Sequence, residues 1–262
     1  MNQQMAYPLD VKLMKGTAAA LFVAFVFLTL SFSISWILKS PWFAIGKIRV
    51  SGDFLHTNSI ALRSNVAPKL NGTFVTLDLA NARQVFEAVP WVRQAVVKRE
   101  FPNLLSVSLK EHVAVAYWGN EGEARLLNSF GEVFEANLGE VEQDSLPRLS
   151  GQPGQGAQVL AVYQSLQPLF ANLDLVLDQI ELTGRGSWEA RLDTGAVLQL
   201  GRGSAQQVFE RTRKFTSTLT QVIRKYGRNP EALESADLRH EDGYAIRLRG
   251  VTTVVPVQSN KQ

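Results

Sequence analysis

Ala18-Ala19-Ala20-Leu21-Phe22-Val23-Ala24-Phe25-Val26-Phe27-Leu28-Thr29-Leu30 lies at the heart of a stretch, Gly16 to Leu38, that holds no charged residue. As a helix the whole stretch is about 34 Å long at a rise of ~1.5 Å per residue, enough for a hydrocarbon core of ~30 Å. Thr29, Ser31, Ser33 and Ser35 return their hydroxyls to the helix backbone and do not veto a span. Trp36 and Trp42 stand where an interfacial aromatic belt belongs. Two rival readings fit the run less well. A cleaved leader needs small residues at its cut; Ser31-Phe32-Ser33 is a weak site, and apolar residues resume after it. A buried helix of a soluble core shows a polar face, and none interrupts this run. Lys12 and Lys15 precede the run and Lys39, Lys47 and Arg49 follow it, so the charge rule is nearly flat. A short leading tail and a large trailing part suggest an N-in, C-out arrangement.

The chain of 262 residues is 45% hydrophobic and 19% charged, a globular composition with room for more than one unit at roughly 100–200 residues per domain. A net charge of +3 without a face-length Lys/Arg cluster is too weak for a nucleic-acid footprint. With no cysteine, disulfides, thiolate nucleophiles and Cys-ligated zinc are excluded.

Beyond the apolar run the period changes. Pro41 breaks the helix. From Ala44, Ile48 and Val50 alternate with Lys47 and Arg49, a half-exposed strand closed by Gly52. Thr57 or Asn58 caps a short helix to about Ala67, Asn71-Gly72 is a turn, and Asp78 caps a helix from Leu79 to Ala88 that Pro90 stops. Val85, Phe86 and Val89 share one side of that helix. Trp91 to Phe101 and Leu104 to His112 are strands joined at Pro102-Asn103. The order is strand, helix, helix, strand, strand.

A second unit follows. Ala124 to Asn128 and Glu132 to Glu135 form a hairpin over Ser129-Phe130-Gly131, with Gly131 supplying a positive φ. Pro147 to Gly156 reads as a loop. Ala157 to Asn172 is helical, with Pro168 able to end it early, and Leu175 to Leu182 is a strand. Trp188 to Leu192 and Ala196 to Leu200 form a hairpin over Asp193-Thr194-Gly195. Ser204 caps a long helix to Tyr226, Gly227 sits at its C-cap, and Val208, Phe215, Leu219 and Val222 form its buried face. Glu210, Arg211, Arg213, Lys214 and Lys225 form the solvated one. Ser235 to Arg239 and Tyr244 to Arg249 are the last strands, around Glu241-Asp242-Gly243.

Catalytic signatures are missing. His56, His112 and His240 show no metal-ligand spacing. There is no G-x-S-x-G elbow and no phosphate loop. Gly201-x-Gly203 lacks the third glycine of a dinucleotide fingerprint and reads as a turn. Glu181, Glu189 and Asp193 would need to converge in space to act as a glycosidase pair. The expectation is a non-enzymatic chain without cofactor. A binding surface has better support: Tyr244, Ile246 and Leu248 alternate with Ala245, Arg247 and Arg249 in a terminal strand, and a sheet edge there offers unpaired N–H and C=O groups to a partner strand. The bland alternative is an edge merely protected by Arg247 and Arg249.

Taken in order, Ile48-x-Val50-x-Gly52, Pro90-Trp91-Val92, Arg99-x-x-Pro102, Val107, Glu111-His112, Ala116, Asn128-x-x-Gly131-x-Val133-Phe134, Leu146-Pro147-x-Leu149-x-Gly151, Leu200-Gly201-Arg202-Gly203 and Asp237-Leu238-Arg239 resemble the FtsQ/DivIB family of bacterial division proteins over nearly the whole chain. Ala114 departs from the pattern, where the family often has proline. The resemblance implies an α+β chain: a cytoplasmic tail (1–15), one transmembrane helix (16–38), a POTRA domain (44–113, β-α-α-β-β), a C-terminal mixed β-sheet domain with helices (114–250) and a flexible tail (251–262). It implies an inner-membrane, single-pass protein at the septum, with its C-terminal domain periplasmic, that links early and late division proteins. Its implied partners are FtsB- and FtsL-like bitopic proteins, other division proteins reached through the POTRA domain and membrane helix, and the lipid bilayer, but no nucleic acid. Carried onto this sequence, the partner site is Arg239, His240, Gly243, Tyr244, Ala245, Ile246, Arg247 and Leu248, with Arg185 and Arg202 as neighbours. Tyr244, Ile246 and Leu248 are expected to offer alternating pockets. The alternatives are a POTRA protein of secretion or outer-membrane assembly, which would carry a β-barrel, and an anchored peptidoglycan enzyme.

Overall fold

In the computed structural model, helix α1 (Leu9–Leu38) extends the apolar run backwards by two turns, and Met14–Leu38 is long and apolar enough to cross a membrane. It buries none of that span against the rest of the chain. The hydroxyl of Thr29 donates to the carbonyls of Phe25 (2.9 Å) and Val26 (3.0 Å), which removes its polarity from the surroundings of the helix. The structure describes residues 9–52, 54–57, 59–123, 125–137, 139, 146–240 and 243–251. The expected tail beyond Val251, most of the leading tail, the Asn58 cap, Ala124 and the Glu241-Asp242 turn lie outside these residues.

The chain divides into a unit up to Glu111 and a second from His112. In the first, β1 (Lys47–Ser51), α2 (Ser59–Val66), α3 (Leu79–Glu87), β2 (Val92–Glu100) and β3 (Leu104–Glu111) form a three-stranded sheet in the order β1-β3-β2. β1 runs parallel to β3, and β2 antiparallel to it. Asp78 caps α3 as its position requires, its carboxylate accepting from the amides of Ala80 (2.8 Å) and Asn81 (3.3 Å). Leu62, Val66, Phe86, Ala95, Leu105, Val107 and Leu109 close the core. Each large apolar side chain buried there is worth about 1.5–3 kcal/mol. β1 departs from the expected half-buried strand: Ile48 stays 41% exposed because β1 is an edge and faces an open groove.

The second unit carries a nine-stranded mixed sheet in the order β12-β11-β10-β9-β8-β7-β4-β5-β6. Its strands are β4 (Ala114–Trp118), β5 (Arg125–Asn128), β6 (Val133–Glu135), β7 (Arg148–Ser150), β8 (Leu177–Leu182), β9 (Ser187–Leu192), β10 (Val197–Arg202), β11 (Leu233–Asp237) and β12 (Ala245–Leu248). Helices α4 (Gly156–Ala171) and α5 (Ala205–Arg224) pack on it, and Leu149, Phe170, Trp188, Leu198, Val208 and Phe215 are buried between.

Several sequence expectations change here. The stretch from Pro147 is not all loop: Arg148–Ser150 forms β7, parallel to both β4 and β8, with Leu149 wholly buried. Pro168 does not end α4; it sits inside the helix's last turn. On α5 the buried face includes Thr212 and Ile223 rather than Val222. Thr212 tolerates burial because its hydroxyl donates to the Val208 carbonyl at 2.8 Å. Arg211 does not belong to the solvated face; its guanidinium donates to the carbonyls of Leu200 and, at 3.2 Å, Arg202. Gly201 is not a turn residue but sits at a bulge between β10 and β9, with φ +82°. The capping of α5 is as expected: the Ser204 hydroxyl accepts from the Gln207 amide, and the Gln207 side chain accepts from the Ser204 amide.

Candidate partner-binding edge

β12 is the last strand of the large sheet, and among the described residues β11 is its only neighbour. Its outer side therefore presents main-chain donors and acceptors without a sheet partner. The strand stays in place because its inward side chains belong to the core. Leu248 is buried, and Tyr244 and Ile246 pack against the same cluster. The Tyr244 ring meets Phe215 edge-on, centroids 4.9 Å apart. This corrects the expectation of alternating pockets: Tyr244, Ile246 and Leu248 fill the protein's own interior, and what faces outward is Ala245, Arg247 and Arg249.

Those arginines are held from within. Arg247 pairs with Glu234 of β11 at 3.5 Å. Arg249 donates through its guanidinium to the Thr194 carbonyl and through its amide to the Ala232 carbonyl at 2.8 Å. The edge is thus pinned to the β9–β10 turn at one end.

Arg185, Arg202, Arg239, His240 and Gly243 gather at the other end. Arg202 is the register partner of Ser187, and Arg185 lies in the turn just before Ser187. Arg239 follows β11, which runs parallel to β10, so it too reaches this end. Its side chain passes over Gly201, where a Cβ would come within 3.1 Å of the Arg239 Cγ and 2.9 Å of an Arg211 nitrogen. Arg185, Arg202, Arg239 and His240 are all exposed. Arg239 grips Asp237 with Nε to Oδ1 at 2.9 Å and Nη2 to Oδ2 at 2.5 Å. That hydrogen-bonded guanidinium pulls the Asp237 carboxyl down to about 2 and pushes Arg239 above its ordinary value. Asp237, Glu234, Arg211 and Thr218 shape the site but were missed in the sequence. The pairing of β10 with β11 that brings Arg211 to Arg239 has no local signature.

The other candidates are placed elsewhere. Glu181 and Glu189 face each other across β8 and β9 and line a hollow of ≈ 250 Å³ with Arg148 and Arg191. Asp193 instead closes its turn, accepting from the amides of Val176 (3.2 Å) and Thr194 (2.9 Å). In the first unit, a groove of ≈ 880 Å³ runs beside the edge strand β1, lined by Ile45, Ile48, Val50, Leu62, Val66 and Phe86. His56 stacks on Trp91 (3.8 Å) and His112 on Phe134 (4.1 Å).

Residues 43–112 match the model of the FtsQ-type POTRA domain, and residues 116–239 match that of the C-terminal domain of the cell division proteins FtsQ/DivIB. The second match ends just before the turn into β12. Among curated relatives, the cell division protein FtsQ of Thiomonas arsenitoxydans is 37% identical over 93% of this chain and 89% of its own. Those of Burkholderia pseudomallei (32%; 97% and 99%) and Bordetella pertussis (31%; 91% and 90%) align as fully. One apolar N-terminal helix, an FtsQ-type POTRA domain and a mixed-sheet C-terminal domain make this chain a member of the FtsQ/DivIB family of cell division proteins.

Proposed function

We propose that the chain is a non-enzymatic scaffold of the inner membrane that links early and late division proteins at the septum by accepting a strand from an FtsB-like partner, with its FtsL-like companion, along β12. The reading places the N-terminus in the cytoplasm and the sheet domains in the periplasm. The observation that carries it is the outer side of β12, unpaired among the described residues and held from within by Tyr244 and Leu248. Main-chain hydrogen bonds set the register of an added strand. Arg239, Arg202 and Arg185 at one end, with Arg247 along the edge, favour acidic residues in the partner; charge-assisted hydrogen bonds contribute about 1.5–3 kcal/mol each where water is excluded. The apolar groove beside β1 supports a second, separate contact through the POTRA domain. In-cell photocrosslinking from single positions between 240 and 250 tests the main contact. Adducts with FtsB- or FtsL-like proteins at Ala245 and Arg247, but not at the inward Leu248, are expected. A uniform lack of adducts, while the chain still supports division, would end the proposal.

A further inference from the structure

Phe74 is the hub of a small, rigid surface at the end of the apolar helix. The carbonyl of Leu38, the last residue of α1, accepts from the Thr73 hydroxyl at 2.9 Å. The Phe74 amide donates to the Phe43 carbonyl at 2.7 Å. The turn between β2 and β3 reaches the same place: the Gly46 amide donates to the Asn103 carbonyl at 2.9 Å, and Phe101 meets Phe74 edge-on at 5.4 Å. Arg99 fixes the loop, donating through Nε to the Phe74 carbonyl at 2.7 Å and through Nη2 to those of Val75 (3.3 Å) and Leu77. Phe74 itself is buried, yet the side chains around it are turned outward: Trp42 is 93% exposed, Phe101 88% and Val75 42%.

A soluble domain gains nothing by holding Trp42 and Phe101 so fully in water on turns packed against a loop, residues 74–77, that three carbonyl hydrogen bonds make stiff. The same side chains fit the headgroup and upper-acyl region of a bilayer, where amphipathic and aromatic rings concentrate. Their position supplies the bilayer: Trp42 follows the end of the membrane-long helix by four residues, and the loop bearing Val75 and packing on Phe101 is bonded to Leu38 through Thr73. We infer that the POTRA domain sits on the membrane, with Phe101, Val75 and Trp42 inserted in the interfacial layer of the bilayer that holds α1. The domain's two apolar tips then have opposite surroundings. β3 runs from Leu104, beside the seated turn, to Glu111, whose carboxylate binds the amide of Leu55 at 3.0 Å. Leu55 is 89% exposed but stands at the far end of the strand, a rise of about 23 Å away. A seated domain cannot tumble on its tether, and the β1 groove is held at a fixed height above the lipid.

The inference rests on α1 crossing the bilayer, and the test separates the two. The chain has no cysteine, so single labelling sites are available throughout. Nitroxide labels are placed on Phe101→Cys, Val75→Cys, Leu55→Cys and Phe27→Cys of the full chain in phosphatidylcholine nanodiscs, and collision with oxygen and with a water-soluble nickel chelate is measured. Expected are oxygen-dominated labels at 27, 75 and 101 and a nickel-dominated label at 55. Nickel-dominated labels at 75 and 101 with an oxygen-dominated label at 27 overturn the seating and leave the anchor standing. A nickel-dominated label at 27 overturns both.

Discussion

The hydroxyls of Tyr244 and Thr218 lie 2.7 Å apart, which ties the strand at the sheet edge to the middle of α5. Thr218 is itself anchored, donating toward the Lys214 (3.0 Å) and Phe215 (3.2 Å) carbonyls. Replacing Tyr244 with Phe keeps the ring on Phe215 and removes only this link, a loss of about 0.5–1.5 kcal/mol. Replacing it with Ala empties the contact as well and costs about 2–3 kcal/mol, below the range of a fully buried aromatic because the ring is half-exposed. Hydrogen exchange reports both: amides of residues 245–248 exchange faster in Tyr244→Phe and faster still in Tyr244→Ala, with β8 and β9 unchanged.

Ala245→Pro removes one amide donor from the edge strand and stiffens it. Whichever side that amide faces, the ladder loses register. Partner retention in a pull-down is expected to fall at least tenfold, while Trp91 fluorescence, read in a chain whose other four tryptophans are replaced by Phe so that it reports the first domain, keeps its unfolding midpoint.

Asn128 is wholly buried and uses both ends of its amide. Its oxygen accepts from the amides of Phe130 and Glu132, each at 2.9 Å, and its nitrogen contacts His112 Nδ1 (2.9 Å) and the Glu132 carboxylate (2.6 Å). Asn128→Ala leaves two loop amides without their acceptor and costs about 2–3 kcal/mol. Asn128→Asp is worse than the loss of one donor suggests, since it sets two carboxylates together. Thermal unfolding of the second domain, followed by circular dichroism, ranks wild type above both.

Glu111 holds the chain before α2. Burial raises its pKa, but hydrogen bonding from Thr57 and from the amides of Leu55 and His56 outweighs this, so the carboxyl titrates below its ordinary value. A lowered folded pKa contributes stability above the unfolded value of about 4.3, and that contribution is lost as pH falls through the folded value. Glu111→Gln is therefore expected to cost about 1.5–3 kcal/mol at pH 7. The gap from wild type narrows as pH falls below the unfolded value of about 4.3 and on through the lower folded one. Denaturant titrations of the Trp91 signal at pH 7 and pH 3, in a chain whose other four tryptophans are replaced by Phe, check this; equal gaps at both would contradict it.

Local chemistry was legible wherever one residue decides one event. Asp78 and Ser204 were readable as caps, Gly131 as the positive-φ turn residue and Pro90 as a stop, because each acts on its own neighbours. β7 was not legible: it is three residues long, and its reason to be a strand is Leu149 fitting between β4 and β8, both distant in sequence. Val222 and Ile223 are equally apolar, and only the packing chose the second. At the edge, the alternation Tyr244, Ile246, Leu248 was read correctly as one face, but a period of two does not say whether that face meets a partner or the chain's own core. Arg211 looked like surface charge because its acceptors, two main-chain carbonyls of β10, carry no signal in the sequence.

With its inward side chains committed to the interior, β12 has little left with which to read the side chains of whatever lies alongside. A strand added there as proposed would be recognised by amide and carbonyl groups, which are indifferent to sequence, and would need only to stay extended with its acids near the arginine-rich end. Discrimination among rivals would then fall to the short stretches on either side of such a strand.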